Sequence, residues 1–335
     1  MTVNLNKMTM ADAIKTGYDT RLLERALPRL IHSRWARKAT ISKFGDWEIR
    51  KYGSLSAVTS PLGESSTPGE QSAPSISTVT LDPSYYGAWI GYGDEVDLEA
   101  FDPILSETSG ILGEQAGLSV DTLSRNALIS GLTAAYSGGQ TAIGNLDSPQ
   151  HDLDFKDLAK NLGTLEAANA RPFDNGRFVI LLHPHTYWSL MNDTVFVNLF
   201  TEEAGDSSAL RSGYMGHLVN CDIYVSSIVY EDADAGVGGT TDVYSAIILG
   251  QDAFAVAGMA SLMPSEVDMG GDNVRNMTGK PVKPVNMIVK ELGSGGTSDP
   301  LNQRGSIGWK VSHDLEILDS SCGINLYHTN MYSDD

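Results

Sequence analysis

Cysteine is scarce in this 335-residue chain: Cys221 and Cys322 are the only two, which excludes a disulfide framework and leaves room for one bridge at most. Each thiol sits beside apolar neighbours, so buried, reduced cysteines are expected. The sequence also lacks an apolar run of about 18 residues and a basic-then-apolar amino terminus. Neither a membrane helix nor a secretory signal is expected, and the chain reads as a soluble cytoplasmic product without a membrane partner. Catalytic signatures are missing too. There is no Gly-x-Ser-x-Gly elbow, and the glycine-rich "GSGGTSDPLNQRG" lacks the Lys-Ser/Thr of a phosphate loop and leads into a strand-like pattern.

Basic charge is the next shortage. Against 42 Asp and Glu stand 23 Lys and Arg, a net charge of −19. The imbalance is uneven: residues 1–53 hold 11 basic against 5 acidic side chains, or +6, leaving 12 against 37, or −25, for residues 54–335. An acidic body repels phosphate backbones and anionic membrane faces over roughly 8 Å in physiological salt, which disfavours general nucleic-acid binding. A basic arm can still bind an acidic neighbour, including another copy of the same chain.

What is abundant is glycine, 34 residues, with 13 prolines, so many turns and long loops are expected in one large or two smaller domains. In the arm, Leu22, Leu23, Leu27, Leu30 and Ile31 recur at helical spacing while Arg21, Arg25 and Arg29 share another face, and Pro28 interrupts the pattern. Residues 39–51 alternate like a strand. A Ser/Pro/Gly/Thr-rich stretch over 54–77 follows, and a β-like return carries Val79, Leu81, Tyr86, Trp89 and Ile90. Together these predict a long two-stranded projection that needs a partner surface, because an isolated hairpin is marginal in water.

A long helical pattern runs through Ile104, Leu112, Ala116, Leu123 and Leu132, with Gly117 expected to divide or bend it and Ser119 or Asp121 to cap its second half. Residues 153–168 predict an amphipathic helix. "RFVILL", "CDIYVSS", "VYSAIILG", "PVNMIVKEL" and "GSIGWKVSHDLEIL" predict strands, and "PHTYWSLMN" a short helix opened by Pro184. Helices and strands interleave without a βαβ repeat, so the fold class is α+β.

His183 and His185 flank Pro184 at a strand end, a spacing that suits zinc or iron. No third ligand stands at motif spacing. Imidazoles that bond exposed backbone groups at a strand-to-helix junction are therefore the favoured reading. The acidic loop Asp232-x-Asp234-x-Gly236 resembles the start of a calcium loop, but glycine replaces the next ligand and no glutamate closes it. No metal and no cofactor are expected.

A chain with a basic amphipathic arm and a protruding hairpin, and without a catalytic constellation, spends length on segments that cannot bury themselves, which points to self-assembly. At Tyr85, Tyr86 and Gly87, at Gly93 to Asp97, at "LGEQAGLSVDTLSRNAL" (112–128) and at Asp299 to Lys310, the sequence resembles the major capsid proteins of tailed bacteriophages, whose fold is shared with herpesvirus coat proteins and encapsulins.

The resemblance implies an N-terminal arm over residues 1–40, an extended β-hairpin loop over 41–95, and a peripheral domain with a long spine helix over 96–149. It further implies an axial domain over 150–295 and a returning strand of the peripheral domain with the C-terminus over 296–335. It implies a structural subunit of an icosahedral shell of hexamers and pentamers around phage double-stranded DNA, assembled in the host cytoplasm. Portal and scaffold or cement proteins would be further partners. Inter-subunit contacts are expected from Arg21, Arg25, Arg29, Arg34, Arg37, Lys38, Trp47 and Arg304. The competing readings are a metal-dependent hydrolase using His183 and His185, and an encapsulin-like shell around cargo protein.

Overall fold

The computed structural model describes residues 30–39, 47–53, 55, 57–59, 73–94, 104–196, 214–218, 220–258, 286–290, 292, 299–301 and 303–333. In chain order it forms β1 (Arg37–Ala39), β2 (Trp47–Tyr52), β3 (Ile76–Leu81), β4 (Ser84–Gly93), α1 (Ile104–Gly131), β5 (Thr133–Tyr136) and α2 (Phe155–Ala167). There follow β6 (Phe178–Leu182), α3 (Pro184–Leu190), β7 (Tyr214–Leu218), β8 (Cys221–Val225), β9 (Glu231–Asp232) and β10 (Val243–Leu249). The last strands are β11 (Phe254–Gly258), β12 (Asn286–Lys290), β13 (Arg304–Ile317) and β14 (Gly323–His328). This is the α+β mixture expected. The amphipathic pattern over residues 22–29, with Arg21, Arg25 and Arg29, lies outside the described residues, as does the strand-like stretch 40–46.

Two large sheets and a two-stranded ribbon organise the described residues. β13 is the spine of the smaller one: β4 pairs antiparallel along residues 304–313, while β12 pairs with 306–310 and β11 with 313–317, and β1 adds in parallel to β11. The larger sheet runs β5-β14-β10-β6-β8-β7, with β9 also paired to β10. β6 and β10 are buried at every position, which is why "FVILL" and "VYSAIIL" read as near-continuous apolar runs. On one face of that sheet, Phe178, Ile180, Leu182, Ala246 and Ile248 pack with Leu158 and Leu165 of α2 and Leu190 of α3. On the other, Val179, Leu181, Ile247 and Leu249 pack with Leu128 and Leu132 at the end of α1 and with Phe254, Val256 and Leu315 from the smaller sheet.

α1 is one continuous helix of 28 residues, about 42 Å long at 1.5 Å per residue. The expected break at Gly117 is absent. Gly113, Ala116, Gly117 and Val120 are buried, and Leu112, Ala116 and Val120 pack against Ile307, Trp309 and Val311 of β13. Small residues let the helix approach the sheet closely, which offsets the roughly 1 kcal/mol that a helical glycine costs. α2 forms within the expected amphipathic segment, and Asp154 caps it, accepting from the Asp157 amide at 2.8 Å.

The projection differs from expectation. Residues 47–52 pair antiparallel with 76–81 as a ribbon, but the remainder of the return segment, β4, leaves the ribbon and joins β13 over ten residue pairs. Asp82 and Pro83 separate the two strands and turn the chain from the ribbon into the sheet. The sheets also run across the segments that the family plan separates: β11 and β12, within 150–295, bond to β13, and β14, within 296–335, pairs with β10. Strand pairing follows complementary edges in space, to which a division by sequence is blind.

Candidate assembly surfaces

The first surface forms where the basic arm meets the body. Leu30 is buried among Leu112, Ala116, Val120 and Trp309. Asp121, completely buried on α1, accepts from the amides of Ile31 and His32, both at 2.9 Å, and its other oxygen lies 2.8 Å from Nδ1 of His32, itself fully buried. The helix thus presents one carboxylate that captures the incoming chain by two backbone donors and one ring. Asp121 is not the helix cap that its sequence position suggested, because α1 continues through it and its own turn has no free amides to bond. Close by, Ser124 Oγ lies 3.2 Å from Nε2 of buried His313, whose pKa is depressed to about 4 by burial, with the Asp121 charge opposing.

Beyond this tie, the short helical turn His32–Trp35 carries Arg34, whose guanidinium carbon lies 5.3 Å from the Trp35 ring centroid and 5.5 Å from that of Tyr224. Arg37, at the start of β1, faces Asp252 of its own chain at 3.7 Å, both side chains about half exposed. Lys38 follows in β1 opposite Val256. Arg34 and Arg37 flank one cleft. Trp47 opens β2 opposite Leu81, and Arg304 opens β13 opposite Gly93, where Asp299 accepts from its amide at 2.8 Å. Arg34 and Arg37 are brought together; Arg304 stands at the far end of β13 from the strand β11 that carries β1.

The ribbon is anchored at its base. Ile49 and Leu81 pack with Ala255 and Ala257, and Lys51 forms an ion pair and hydrogen bond with Asp319. Burial raises the Asp319 pKa, but the bonds from Lys51 and Ser321 and the lysine charge outweigh it, and the net shift is downward. Farther out, Tyr52, Leu55, Val58 and Ile76 are exposed.

The second surface is the sheet face opposite α1. The strand alternation that sends Ile307, Trp309 and Val311 to the helix sends Ser306, Gly308 and Lys310 outward, with their partners Gly91, Trp89 and Gly87 on β4. Trp89 is 73% exposed and Tyr85 71%. With Ile288, Lys290 and Lys310 they border a groove of about 470 Å³, and the Lys310 ammonium sits 4.3 Å from the Tyr85 ring centroid. Its floor depends on glycine: a Cβ at 308 would stand 2.7 Å from both Ala88 O and Trp89 Cβ. "YYGAWIGYG", aromatic residues interleaved with glycines, was the available signal for this face. Its alternation predicts a strand of the projection, whereas residues 84–93 pair with β13.

The histidine pair belongs to the fold. His183 caps α3, its Nδ1 accepting from the His185 amide at 3.3 Å. Burial lowers its pKa, against Glu231 and with His185, which keeps the ring neutral as an acceptor must be. His185 Nδ1 lies 3.1 Å from Tyr244 Oη, which donates to Glu231 at 2.7 Å. Among the described residues no group of three His, Cys, Asp or Glu could hold a metal, the loop 232–236 included. Both cysteines are free.

A subunit whose arm is clasped by its long helix, whose ribbon projects from its base and whose sheet turns tryptophan and tyrosine outward is built for tiling with copies of itself. The model of the phage capsid protein family matches residues 77–324, and the chain belongs to that family. Its role is that of a structural subunit of a multi-subunit capsid shell, a virion component. No curated protein matches the chain. Among solved structures it is similar to the capsid of Ralstonia phage GP4, with a TM-score of 0.67 at 12% identity over 90% of this chain and 88% of that one. It is also similar to the capsid of cyanophage P-SCSP1u, with 0.60 at 13% over 90% and 88%. The capsid asymmetric unit of cyanophage Pam1 gives 0.57 at 13% over 93% of each chain. At such identities these likenesses establish a shared fold.

Proposed function

We propose that the chain is the non-enzymatic major shell protein of a tailed phage, tiling as hexamers and pentamers around double-stranded DNA and assembled in the host cytoplasm. Portal and scaffold or cement proteins complete the particle. The family plan of arm, extended loop, peripheral domain and axial domain is the working division of the chain. The observation that carries the reading is the pairing of a base-anchored ribbon with exposed Tyr52, Leu55, Val58 and Ile76 and a sheet face with exposed Tyr85 and Trp89. Each leaves apolar area in water that a neighbouring copy would cover, at roughly 25 cal/mol per Å² before association costs. The basic side chains Arg21, Arg25, Arg29, Arg34, Arg37 and Lys38 would clamp acidic surfaces of adjacent subunits, with Trp47 and Arg304 as further contacts. The acidic body repels packaged DNA instead of trapping it.

Expression of the full chain followed by electron microscopy and nuclease protection tests this. Closed shells are expected, with duplex DNA protected in particles from infected cells. A compact monomer that stays monomeric at high concentration would overturn it.

A further inference from the structure

We propose that Arg34 is a pre-organised receptor for a carboxylate presented by a second copy of the chain, at the rim of a cleft of about 290 Å³ that Trp35, Arg37, Phe173, Gln251 and Asp252 also line. The inference rests on the shell-forming reading above and adds to it a site, a ligand chemistry and a geometry.

The turn that carries Arg34 is fixed from beneath, because buried Asp121 holds the Ile31 and His32 amides just ahead of it. The guanidinium lies against two rings that are themselves packed: Trp35 is 4.9 Å from Tyr224 and 5.3 Å from Phe173, centroid to centroid. Cation–π attraction to the rings holds the guanidinium without using its N–H groups, and those can meet a carboxylate with two parallel hydrogen bonds. A side chain already held in place gives up less conformational freedom when it binds. Arg34 is exposed, and among the described residues no carboxylate pairs with it. Arg37, across the same cleft, is different: Asp252 already answers its charge at 3.7 Å.

The ligand is a protein carboxylate in preference to a DNA phosphate. Duplex binding without sequence preference draws on several cations along the backbone. Here one unanswered guanidinium shares its cleft with Asp252. Copies of this chain, by contrast, carry a balance of −25 over residues 54–335, so any neighbour offers carboxylates. The clamp expected of six basic residues narrows, within this cleft, to one side chain that the fold has positioned for the task.

The test compares full-length wild type with Arg34→Gln and Arg34→Lys, following assembly by light scattering against concentration and salt. Loss of a charged hydrogen-bonded contact should raise the concentration needed for assembly about ten-fold in Arg34→Gln, with the circular dichroism spectrum unchanged. Arg34→Lys should recover part of it. Zero-length carbodiimide treatment of assembled Arg34→Lys should link position 34 to an Asp or Glu of another chain, located by mass spectrometry. Equal assembly of Arg34→Gln and wild type, or a link only to Asp252 of the same chain, would overturn the inference while the shell reading stands. Unchanged assembly with weakened duplex-DNA binding would assign the site to phosphate and also overturn it. Failure of the wild type to form particles would remove the shell reading and this inference with it.

Discussion

Asp121 and His32, 89 residues apart in the chain, meet as a fully buried pair with Nδ1 2.8 Å from Oδ2, and the same carboxylate accepts two amides of the arm. One side chain of the long helix therefore fixes residues 31 and 32 against the body. A buried pair of this kind adds little net stability, but removing one partner strands the other.

Asp121→Ala should accordingly destabilise the subunit by about 3 kcal/mol, since the Ile31 and His32 amides and the buried His32 ring lose their acceptor. Chemical denaturation of unassembled subunits measures this. Limited proteolysis should cut ahead of Trp35 faster than in wild type. Unchanged stability would show that the donors find other partners.

Acid should loosen the fold through buried histidines. His313 and His328 both have pKa values depressed to about 4, first by burial, partly opposed by Asp121 for the former and by the Thr329 carbonyl and Asp157 for the latter. In the unfolded chain both titrate near 6.5, so between about 6.5 and 4 the unfolded state binds more protons, and stability falls as pH falls through that window. Each ring contributes at most about 3 kcal/mol. Raised Asp314 and Glu316 act in the opposite sense, so the measurement is a difference: urea midpoints against pH for wild type and His328→Asn, with a shallower acid slope expected in the variant.

Gly308→Val should damage the smaller sheet. Its Cβ would press on the Ala88 carbonyl and on Trp89 Cβ, both at 2.7 Å, and β4 would have to move off β13. The expected loss is on the order of 1–3 kcal/mol in thermal or chemical unfolding. A variant as stable as wild type would mean that the edge strand yields freely.

Trp89→Asp should do the reverse: little change in stability, within about 0.5 kcal/mol because the ring is 73% exposed, yet loss of particles in electron micrographs. Normal shells from this variant would show that the exposed aromatic face is not an assembly contact.

Asp319→Asn separates anchoring from stability in the same way. The Lys51 pair is partly exposed, so its loss should cost under about 1 kcal/mol. The wild-type contribution is present above the ordinary carboxylate pKa and disappears as pH falls through the lowered Asp319 value. Amide hydrogen exchange in residues 47–52 should quicken in the variant. Unchanged protection there would show that Ile49 and Leu81 anchor the ribbon alone.

Much of the architecture was legible along the chain. The amphipathic period over 153–168 predicts α2, Pro184 at the first turn predicts α3, and the apolar runs around Ile180 and Ile247 predict strands. The cap made by His183 is legible for a local reason: cap geometry is set by neighbouring residues, and Nδ1 of His183 accepts from the His185 amide two positions on. The role of Asp121 is not legible locally because its partner is 89 positions away, nor is continuity at Gly117, because it depends on β13 packing against the helix.

The sequence by itself determined the alternation of elements, the basic arm on an acidic body and the shortage of anything resembling a catalytic site, because periodicity, capping and charge act over a few residues or sum over all of them. Only the tertiary structure decided that β4 leaves the ribbon for β13, that Trp89 faces outward and that Arg34 rests on the rings of Trp35 and Tyr224. Edge pairing, strand facing and ring contacts depend on which distant segments become neighbours, and that is settled by packing the whole chain at once.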